Sequence, residues 1–327
     1  AKTAEMWQKC CQNEINRNLE KELVFLNKQT AHRHFFLIGK GHIVPGGLCD
    51  YWWKSPFGLL RNSMRFAYSS VYGGSKYTNR KDIQRYGPNI LDDPKLAFSL
   101  QHVDIDKEDD ENLYPHLISI PYPSNFHYIL TNQSFSIHPQ RHHHKRYFLS
   151  SFIGSLHNGH IFAAARSKIY SQCIQQKDNR RCFFSTYHKD TNIELISYNS
   201  TFCLEPAGDT PYRKGLYDAM LAGCIPVIFS QYNAFVAPWH FWPNHHLNSM
   251  IIVNETEYIR NDDFNIIDYL ASFDTQIIRK MQATIALHSH RLQYAISDYP
   301  DDAFDIIIKG AWHTALARED ITWGKII

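Results

Sequence analysis

One stretch of the sequence, residues 199–230, constrains the fold more than any other. It reads NSTFCLEPAGDTPYRKGLYDAMLAGCIPVIFS. The apolar run at residues 201–204 is typical of a buried strand, and a second such run covers residues 225–229. Between the two runs, apolar side chains from Leu216 to Leu221 recur with helical spacing. The stretch therefore predicts a β-turn-α-β unit of an open α/β sheet, in which ligands bind at the carboxyl ends of the strands.

The turn of this unit, residues 208–211 (GDTP), carries chemistry that suits an anion. Thr210 is a suitable N-cap and Pro211 suits the first helical position, so we expect the helix to begin there. Free backbone N–H groups at a helix start favour phosphate, and Arg213 and Lys214 would add two cations one turn in. A capped helix with two solvated basic residues is the alternative. The sequence has neither a P-loop nor a dinucleotide-binding glycine motif.

A resemblance to a known family extends this interpretation. The run at residues 202–229 closely resembles the signature of the exostosin-like enzymes, glycosyltransferase family 47. It is most similar to the plant xyloglucan galactosyltransferase branch, in which a Gly-Asp-Ser turn precedes two basic residues. Three further stretches follow in the order of the family: IPYPSNFH at residues 120–127, residues 148–155 with the helix after them, and DAFD at residues 302–305. Together these stretches cover most of residues 35–312.

The resemblance implies a fold and a domain organisation. The architecture that it implies is GT-B, in which two Rossmann-like α/β domains face an interdomain cleft. The alternating strand and helix pattern of this sequence agrees with that architecture. We expect residues 1–145 to form the acceptor-side domain and residues 146–327 to form the nucleotide-sugar-binding domain with its closing helices. Family members carry an earlier first strand and an amino-terminal membrane anchor. Both are expected to lie outside this sequence, so that part of the first domain is missing from this chain, replaced or naturally reduced.

The candidate donor-binding residues come from the central unit and from the strand before it. They are Gly154, Ser155, His157, Glu205, Gly208, Asp209, Thr210, Arg213, Lys214 and Asp218. Glu205 and Asp209 could accept hydrogen bonds from ribose or sugar hydroxyls, although Asp209 could instead only close the turn. Asp218 is either a donor contact or a structural partner of the basic pair. Family members often have an Arg where this chain has His157.

The reaction that the resemblance implies is an inverting transfer from a UDP-sugar, with galactose or xylose, to a hydroxyl of a glycan acceptor. Such a transfer needs a general base for the hydroxyl proton and positive charge for the departing UDP. Arg213, Lys214 and the helix amino terminus would supply that charge, so we expect no metal ion and no cofactor beyond the UDP-sugar. The family places the base in the amino-terminal domain, where Asp50, His34 and His42 are the candidates. The Trp-Asp pair expected there is absent from this sequence.

Composition narrows the partners and the compartment. The formal net charge of +2, with basic and acidic residues interspersed, gives no signal for nucleic-acid binding. No apolar run reaches the length of a membrane span, so the chain as given is expected to be soluble, with membrane attachment only through an anchor outside it. The resemblance implies the Golgi lumen for a cellular protein and leaves open a homodimer or heterodimer. A viral protein would act in the cytoplasm of an infected cell.

The seven cysteines show no C-x-x-C pair, so metal-ligand spacing is absent despite 19 histidines. Cys173 and Cys182 flank a polar loop and could form a disulfide in an oxidising lumen. Cys10 or Cys11 could likewise pair with Cys49, and free buried thiols are the alternative for both.

Two further patterns give structural expectations. The cluster RHHHKR at residues 141–146 is interpreted as a solvated face rather than a sugar-phosphate site. Residues 62–75 predict a helix and a turn.

Two other function classes remain open. One is a different enzyme on the same architecture, such as a nucleotide-sugar epimerase or a glycan phosphorylase. The other is a non-catalytic glycan-binding or partner subunit of a glycosyltransferase complex. Turnover of a UDP-sugar by the lone chain separates the second class from a transferase.

Overall fold

The protein divides into two compact units, each with a parallel β-sheet. One unit comprises Ala1–Ile120 with Ile307–Ile327, and the other comprises Pro121–Ile306. The predicted division between residues 145 and 146 stays a prediction. The computed structural model describes residues 23–27, 30–38, 63–68, 117–127, 130–131, 134–135, 146–156, 163–186, 192–207, 213–229, 246–296 and 298–312.

The first unit contains a three-stranded parallel sheet. Its strands are β1 (Phe35–Ile38), β2 (Met64–Ala67) and β3 (Leu117–Ser119), in the order β1-β2-β3. Met64 and Phe66, two positions apart on β2, are both buried. This period of two is that of a strand, so the helix predicted over residues 62–75 is wrong where β2 lies.

The second unit is built on a five-stranded parallel sheet. The strands of this unit are β4 (Leu130–Thr131), β5 (Ser134–Phe135), β6 (Phe148–Ile153), β7 (Cys182–Ser185), β8 (Ser200–Glu205), β9 (Ile225–Ile228) and β10 (Ile251–Ile252). The order in the large sheet is β10-β9-β8-β6-β7, and each neighbouring pair is parallel. β4 and β5 form a separate antiparallel pair.

Helices follow most strands of the large sheet. They are α1 (Ala163–Ile174), α2 (Ile193–Tyr198), α3 (Lys214–Leu221), α4 (Glu255–Arg260), α5 (Ile266–Ala271) and α6 (Thr275–His288). A further helix, α7, covers residues 303–312. Asn192, Asn254, Asn265 and Asp274 cap four of these helices, because each side chain accepts a backbone N–H bond in the first turn.

The core of the second unit lies on both faces of β8 and β9. All four residues of β9 are buried, as expected for a strand of a parallel sheet that is covered on both faces. Phe152, Phe202 and Phe229 are fully buried around these strands. The α/β class predicted from the sequence is confirmed, and a parallel sheet in each unit is what the GT-B architecture requires. The cleft between two facing domains stays a prediction.

Two disulfides link elements of the second unit. Cys173 at the end of α1 bonds Cys182 at the start of β7, with 5.2 Å between their Cα atoms. Cys203 on β8 bonds Cys224, the residue before β9, with a Cα separation of 5.8 Å. The disulfide between Cys173 and Cys182 was one of the two alternatives that the sequence left open for these cysteines. The disulfide between Cys203 and Cys224 was not predicted. The pairing suggested for Cys49 lies outside the described residues.

Arg146, the last residue of the basic cluster, is a structural residue rather than part of a solvated face. Its guanidinium donates hydrogen bonds to four backbone carbonyls, those of Ser197, Tyr198, Ser200 and Ala222. Burial lowers the pKa of Arg146 to about 10, against the opposing effect of Tyr198. These bonds join the ends of α2 and α3 to the start of β8, so the solvated-face interpretation is wrong for Arg146.

Within the described ranges, no helix is both long enough and apolar enough to cross a membrane.

Candidate functional site

The central unit predicted from the sequence is present as β8, α3 and β9. β8 and β9 are parallel neighbours, with Glu205 opposite Ile228 at their carboxyl ends. α3 ends at Leu221, and Gly223 in the turn after it has a φ of 72°, the left-handed conformation that glycine adopts readily. The carbonyl of Ala219 accepts a hydrogen bond from the N–H of Cys224, which turns the chain directly into β9. The unit therefore places the start of α3 at the carboxyl edge of the sheet.

The start of α3 differs from the prediction. The helix begins at Lys214, and Arg213 is its N-cap, with an extended backbone (φ −132°, ψ 165°) and no side-chain cap bond. The expected start at Thr210 and Pro211 is therefore wrong, because Thr-Pro is equally compatible with a turn that precedes a helix. Arg213 and Lys214 consequently lie at the positive end of the helix itself rather than one turn inside it.

Arg213 packs against the glycine that ends β6. A Cβ atom added to Gly154 would lie 3.3 Å from Nη1 of Arg213 and 3.1 Å from the ring of Phe152. Glycine at this position therefore makes room for the guanidinium. Nη1 is buried, and it donates no hydrogen bond to any residue that the structure describes. A buried donor without a partner costs about 1–3 kcal/mol, and an anion would satisfy this one.

Glu205 lies at the carboxyl end of β8, against the first turn of α3. A Cβ atom added to Gly215 would lie 2.6 Å from Oε1 and 2.8 Å from Cδ of Glu205. Burial raises the pKa of Glu205 to about 7, and the positive charge of Arg213 opposes that rise. Near neutral pH the carboxyl group of Glu205 can therefore either accept or donate a hydrogen bond, which suits contact with a hydroxyl group.

The carboxylate of Asp218 accepts hydrogen bonds from two side chains of the same protein. Lys214 Nζ donates to Oδ1 at 2.8 Å and to Oδ2 at 2.7 Å, and Ser124 Oγ donates to Oδ1 at 2.5 Å. Asp218 is only 5% exposed, and burial raises its pKa against the effect of Lys214. These contacts favour the structural role among the two alternatives for Asp218. They also occupy the ammonium group of Lys214.

Two charged residues at the same sheet edge had no sequence signal. Arg166 of α1 is buried and donates to the carbonyls of Ser155 and Ala207, at 3.0 Å each. It thereby ties together the ends of β6 and β8. Glu255 begins α4 after β10, and its Oε1 is buried without a hydrogen-bond partner among the described residues. Burial raises the pKa of Glu255 to about 7, and Arg166 opposes this.

His34, a candidate base, lies directly before β1 and therefore at the amino end of that strand. Its Nδ1 is 2.9 Å from the carbonyl oxygen of Thr30. Since ligands of parallel sheets bind at the carboxyl ends of strands, this position argues against His34 as the base. Six predicted site residues lie outside the described ranges: Asp50, His42, His157, Gly208, Asp209 and Thr210.

Among the described residues, no three or more His, Cys, Asp or Glu side chains form a group that could hold a metal ion.

Comparison with known proteins identifies related sequences. Residues 103–239 match the family model described as Exostosin GT47 domain. The probable xyloglucan galactosyltransferase GT12 of Arabidopsis thaliana is 28% identical over 200 residues, which are 58% of this chain and 38% of that protein. Xyloglucan galactosyltransferase MUR3 of the same plant is 29% identical over 199 residues, 58% of this chain and 32% of the relative. Xyloglucan-specific galacturonosyltransferase 1, also from Arabidopsis thaliana, is 32% identical over 160 residues, 47% of this chain and 24% of the relative.

The aligned part is thus well under half of each of these relatives. Among solved structures, the pneumococcal O-GlcNAc transferase GtfA in complex with UDP and GlcNAc gives a TM-score of 0.44. The sequence identity is 11%, with 93% of this chain and 60% of that chain covered. The family match contains the central unit and the IPYPSNFH stretch at residues 120–127. Residues 103–239 are therefore an exostosin-like GT47 region, and the relatives that the chain resembles include xyloglucan galactosyltransferases of Arabidopsis thaliana.

Proposed function

We propose that this protein is an inverting glycosyltransferase that moves a sugar from a UDP-sugar to a hydroxyl of a glycan acceptor. The observation that carries the proposal is the position of Arg213. Its guanidinium lies at the N-cap of α3 and at the carboxyl edge of the sheet, beside Gly154, with a buried Nη1 that has no hydrogen-bond partner among the described residues. This arrangement suits the diphosphate of a nucleotide sugar.

The proposed reaction proceeds without a metal ion. As the bond between the anomeric carbon and the diphosphate breaks, negative charge develops on the departing UDP. Arg213 and the backbone N–H groups at the start of α3 would stabilise that charge. Glu205, beside the same turn, would hydrogen-bond a hydroxyl of the ribose or of the sugar.

The acceptor hydroxyl attacks the anomeric carbon from the side opposite to UDP, and a general base takes its proton. We propose, from the family resemblance, that this base belongs to the amino-terminal domain. Asp50 and His42 remain the proposed candidates, whereas the position of His34 at the amino end of β1 makes it the weakest of the three.

Galactose is the first donor sugar to test, because the names of several relatives specify galactosyltransferases. Xylose stays the second proposal. Galacturonic acid enters as a test sugar, since one relative is named as a galacturonosyltransferase. Xyloglucan, which the names of these relatives share, is the first acceptor to test.

We place the reaction in the Golgi lumen. The two disulfides support this proposal, because such bonds persist in oxidising compartments. The related sequences named above are plant proteins, which favours this location over the cytoplasm of an infected cell. A membrane anchor outside this sequence and a dimeric state remain predictions.

Product analysis tests the reaction class. The purified chain is incubated with UDP-galactose and xyloglucan oligosaccharides, and proton NMR determines the anomeric configuration of the new linkage. An inverted configuration relative to the donor supports the proposal. A retained configuration, or release of a sugar phosphate, would indicate a different enzyme class. Binding of UDP without turnover of any sugar would favour the non-catalytic partner subunit.

A further inference from the structure

We infer that Ser124 is a positioning residue for the donor site and that it acts through Asp218 on Lys214, the first residue of α3. The inference rests on the proposed function, since it concerns the same UDP-sugar site. It also assigns different roles to the two basic residues, Arg213 and Lys214.

A buried hydrogen-bond network carries the inference. Ser124 Oγ donates to Oδ1 of Asp218 at 2.5 Å, across 94 positions of the sequence. Ser124 is 7% exposed and Asp218 is 5% exposed. Lys214 reaches both oxygens of the same carboxylate from one helical turn away. Hydrogen bonds to a buried carboxylate are strong, so this network fixes the rotamers of all three side chains.

The segment that carries Ser124 is itself held in place. Ser124 Oγ also accepts a hydrogen bond from the N–H of Phe126, at 3.2 Å. The next residue, Asn125, donates to Oε1 of Glu194 on α2 at 2.9 Å. Ser124 is therefore a fixed point rather than an adaptable surface hydroxyl.

Two tyrosines outside the segment, one on α3 and one after α6, also contact it. The ring of Tyr122 lies 5.7 Å from the ring of Tyr217 on α3, measured between centroids. The hydroxyl of Tyr294 donates to the carbonyl of Pro121 at 2.8 Å. The segment at residues 121–125 is thus attached to the helix whose first turn forms the proposed donor site.

The charges around Lys214 explain the division of roles. Its ammonium group forms an ion pair with Asp218. It also contributes to lowering the pKa of Glu194, although the hydrogen bond from Asn125 is the largest cause of that shift. The ammonium group of Lys214 is therefore paired with a carboxylate of its own helix. Arg213 provides the cation for the diphosphate, and Lys214 anchors the turn that holds Arg213.

Calorimetric titration of UDP into single variants tests the inference. Ser124→Ala is expected to weaken UDP binding about tenfold, because one hydrogen bond to a charged group is lost from the network. Ser124→Thr keeps the hydroxyl and should restore an affinity close to that of the wild type. Ser200→Ala is the matched control, since Ser200 is also buried and donates a 2.7 Å bond to the carbonyl of Ile196. It should leave UDP affinity unchanged.

A double-mutant cycle separates positioning from general destabilisation. If Ser124 acts through Asp218, the variant with both Ser124→Ala and Asp218→Asn binds UDP no more weakly than Asp218→Asn alone. Should Ser124→Ala fail to fold, Lys214→Met tests the network from its other end and should weaken UDP binding less than Arg213→Ala does.

The outcomes distinguish this inference from the proposed function. Full affinity in Ser124→Ala, an equal loss in Ser200→Ala, or additive effects in the cycle would overturn the role of Ser124. If Lys214→Met weakens UDP binding as much as Arg213→Ala, the division of roles is wrong. If Arg213→Ala itself leaves UDP binding intact, the donor site is misplaced, and the proposed function loses its main support.

Discussion

Replacing Arg213 with Ala should separate ligand binding from folding. Nη1 of Arg213 is a buried donor without a hydrogen-bond partner among the described residues. Truncation therefore breaks no hydrogen bond of Nη1 to a described residue and removes a desolvation penalty of about 1–3 kcal/mol. The attraction between Arg213 and ionised Glu205 is lost at the same time. These two effects oppose each other, so the free energy of unfolding should change little.

The affinity for UDP should respond much more strongly. A hydrogen bond to a charged group contributes about 1.5–3 kcal/mol, and 1.4 kcal/mol corresponds to a factor of about ten in affinity. Loss of the guanidinium should therefore weaken UDP binding by about 10-fold to 150-fold. Arg213→Lys should recover only part of this, because an ammonium group cannot form the planar double contact of a guanidinium.

Calorimetry gives the affinity of each variant, and urea unfolding gives its stability. Arg180→Ala is the matched control, since it removes the same charge from a side chain that is 61% exposed and paired with Asp178. It should bind UDP like the wild type. A folded Arg213→Ala variant with wild-type affinity would refute the reasoning, as would a loss of affinity that merely follows a loss of stability.

Three further predictions follow from the site and its support. Because burial raises the pKa of Glu205 from 4.5 to about 7, the folded state holds this proton more tightly than the unfolded chain. The contribution of Glu205 to the free energy of unfolding is thus full below about pH 4.5 and falls by up to about 3 kcal/mol as the pH rises to about 7. Urea unfolding across this range should therefore show that the free energy of unfolding of Glu205→Gln declines less with pH than that of the wild type. In Gly215→Ala the new Cβ would collide with the Glu205 carboxylate, so the affinity for UDP should fall. This loss is expected even though alanine favours the helix by about 1 kcal/mol relative to glycine. An unchanged affinity in calorimetry would contradict this prediction. Replacing both Cys203 and Cys224 with Ala opens a loop with a sequence separation of 21 residues and should lower the free energy of unfolding by about 3 kcal/mol, a difference that disappears if the wild type is unfolded under reducing conditions.

Glu255, whose pKa is influenced by Arg166, provides a second test of the predicted pH dependence of stability. Glu255 also has a pKa raised to about 7, so Glu255→Gln should reduce the same pH dependence independently of Glu205. If neither substitution changes the slope of stability with pH, burial of these two carboxyl groups does not determine it.

The central unit was predictable because its signals are local. Two apolar runs, a helical repeat and a glycine at the helix end occur in order within residues 201–229, and each corresponds to an observed element. The start of α3 was misplaced because Thr210 and Pro211 suit a helix start and a turn equally well. β2 was mistaken for a helix because the period-two burial of Met64 and Phe66 becomes clear only beside its partner strands.

The contacts that support the site could not be predicted from local sequence. Ser124 meets Asp218 across 94 positions, and nothing in the segment at residues 121–125 indicates that partner. Arg166 resembles any basic residue on an exposed helix until its bonds to Ser155 and Ala207 are known. Such long-range pairs depend on the topology of the sheet, which a pattern of single residues does not specify.

The most direct test of the glycosyltransferase assignment measures UDP release by the purified chain. UDP-galactose, UDP-xylose and UDP-galacturonic acid are each supplied with xyloglucan oligosaccharides, in the presence and absence of EDTA. The account predicts that one sugar, with galactose first in order, supports turnover, that EDTA does not reduce the rate, and that Arg213→Ala does. Absence of both turnover and UDP binding, or turnover that EDTA abolishes and manganese restores, would contradict it.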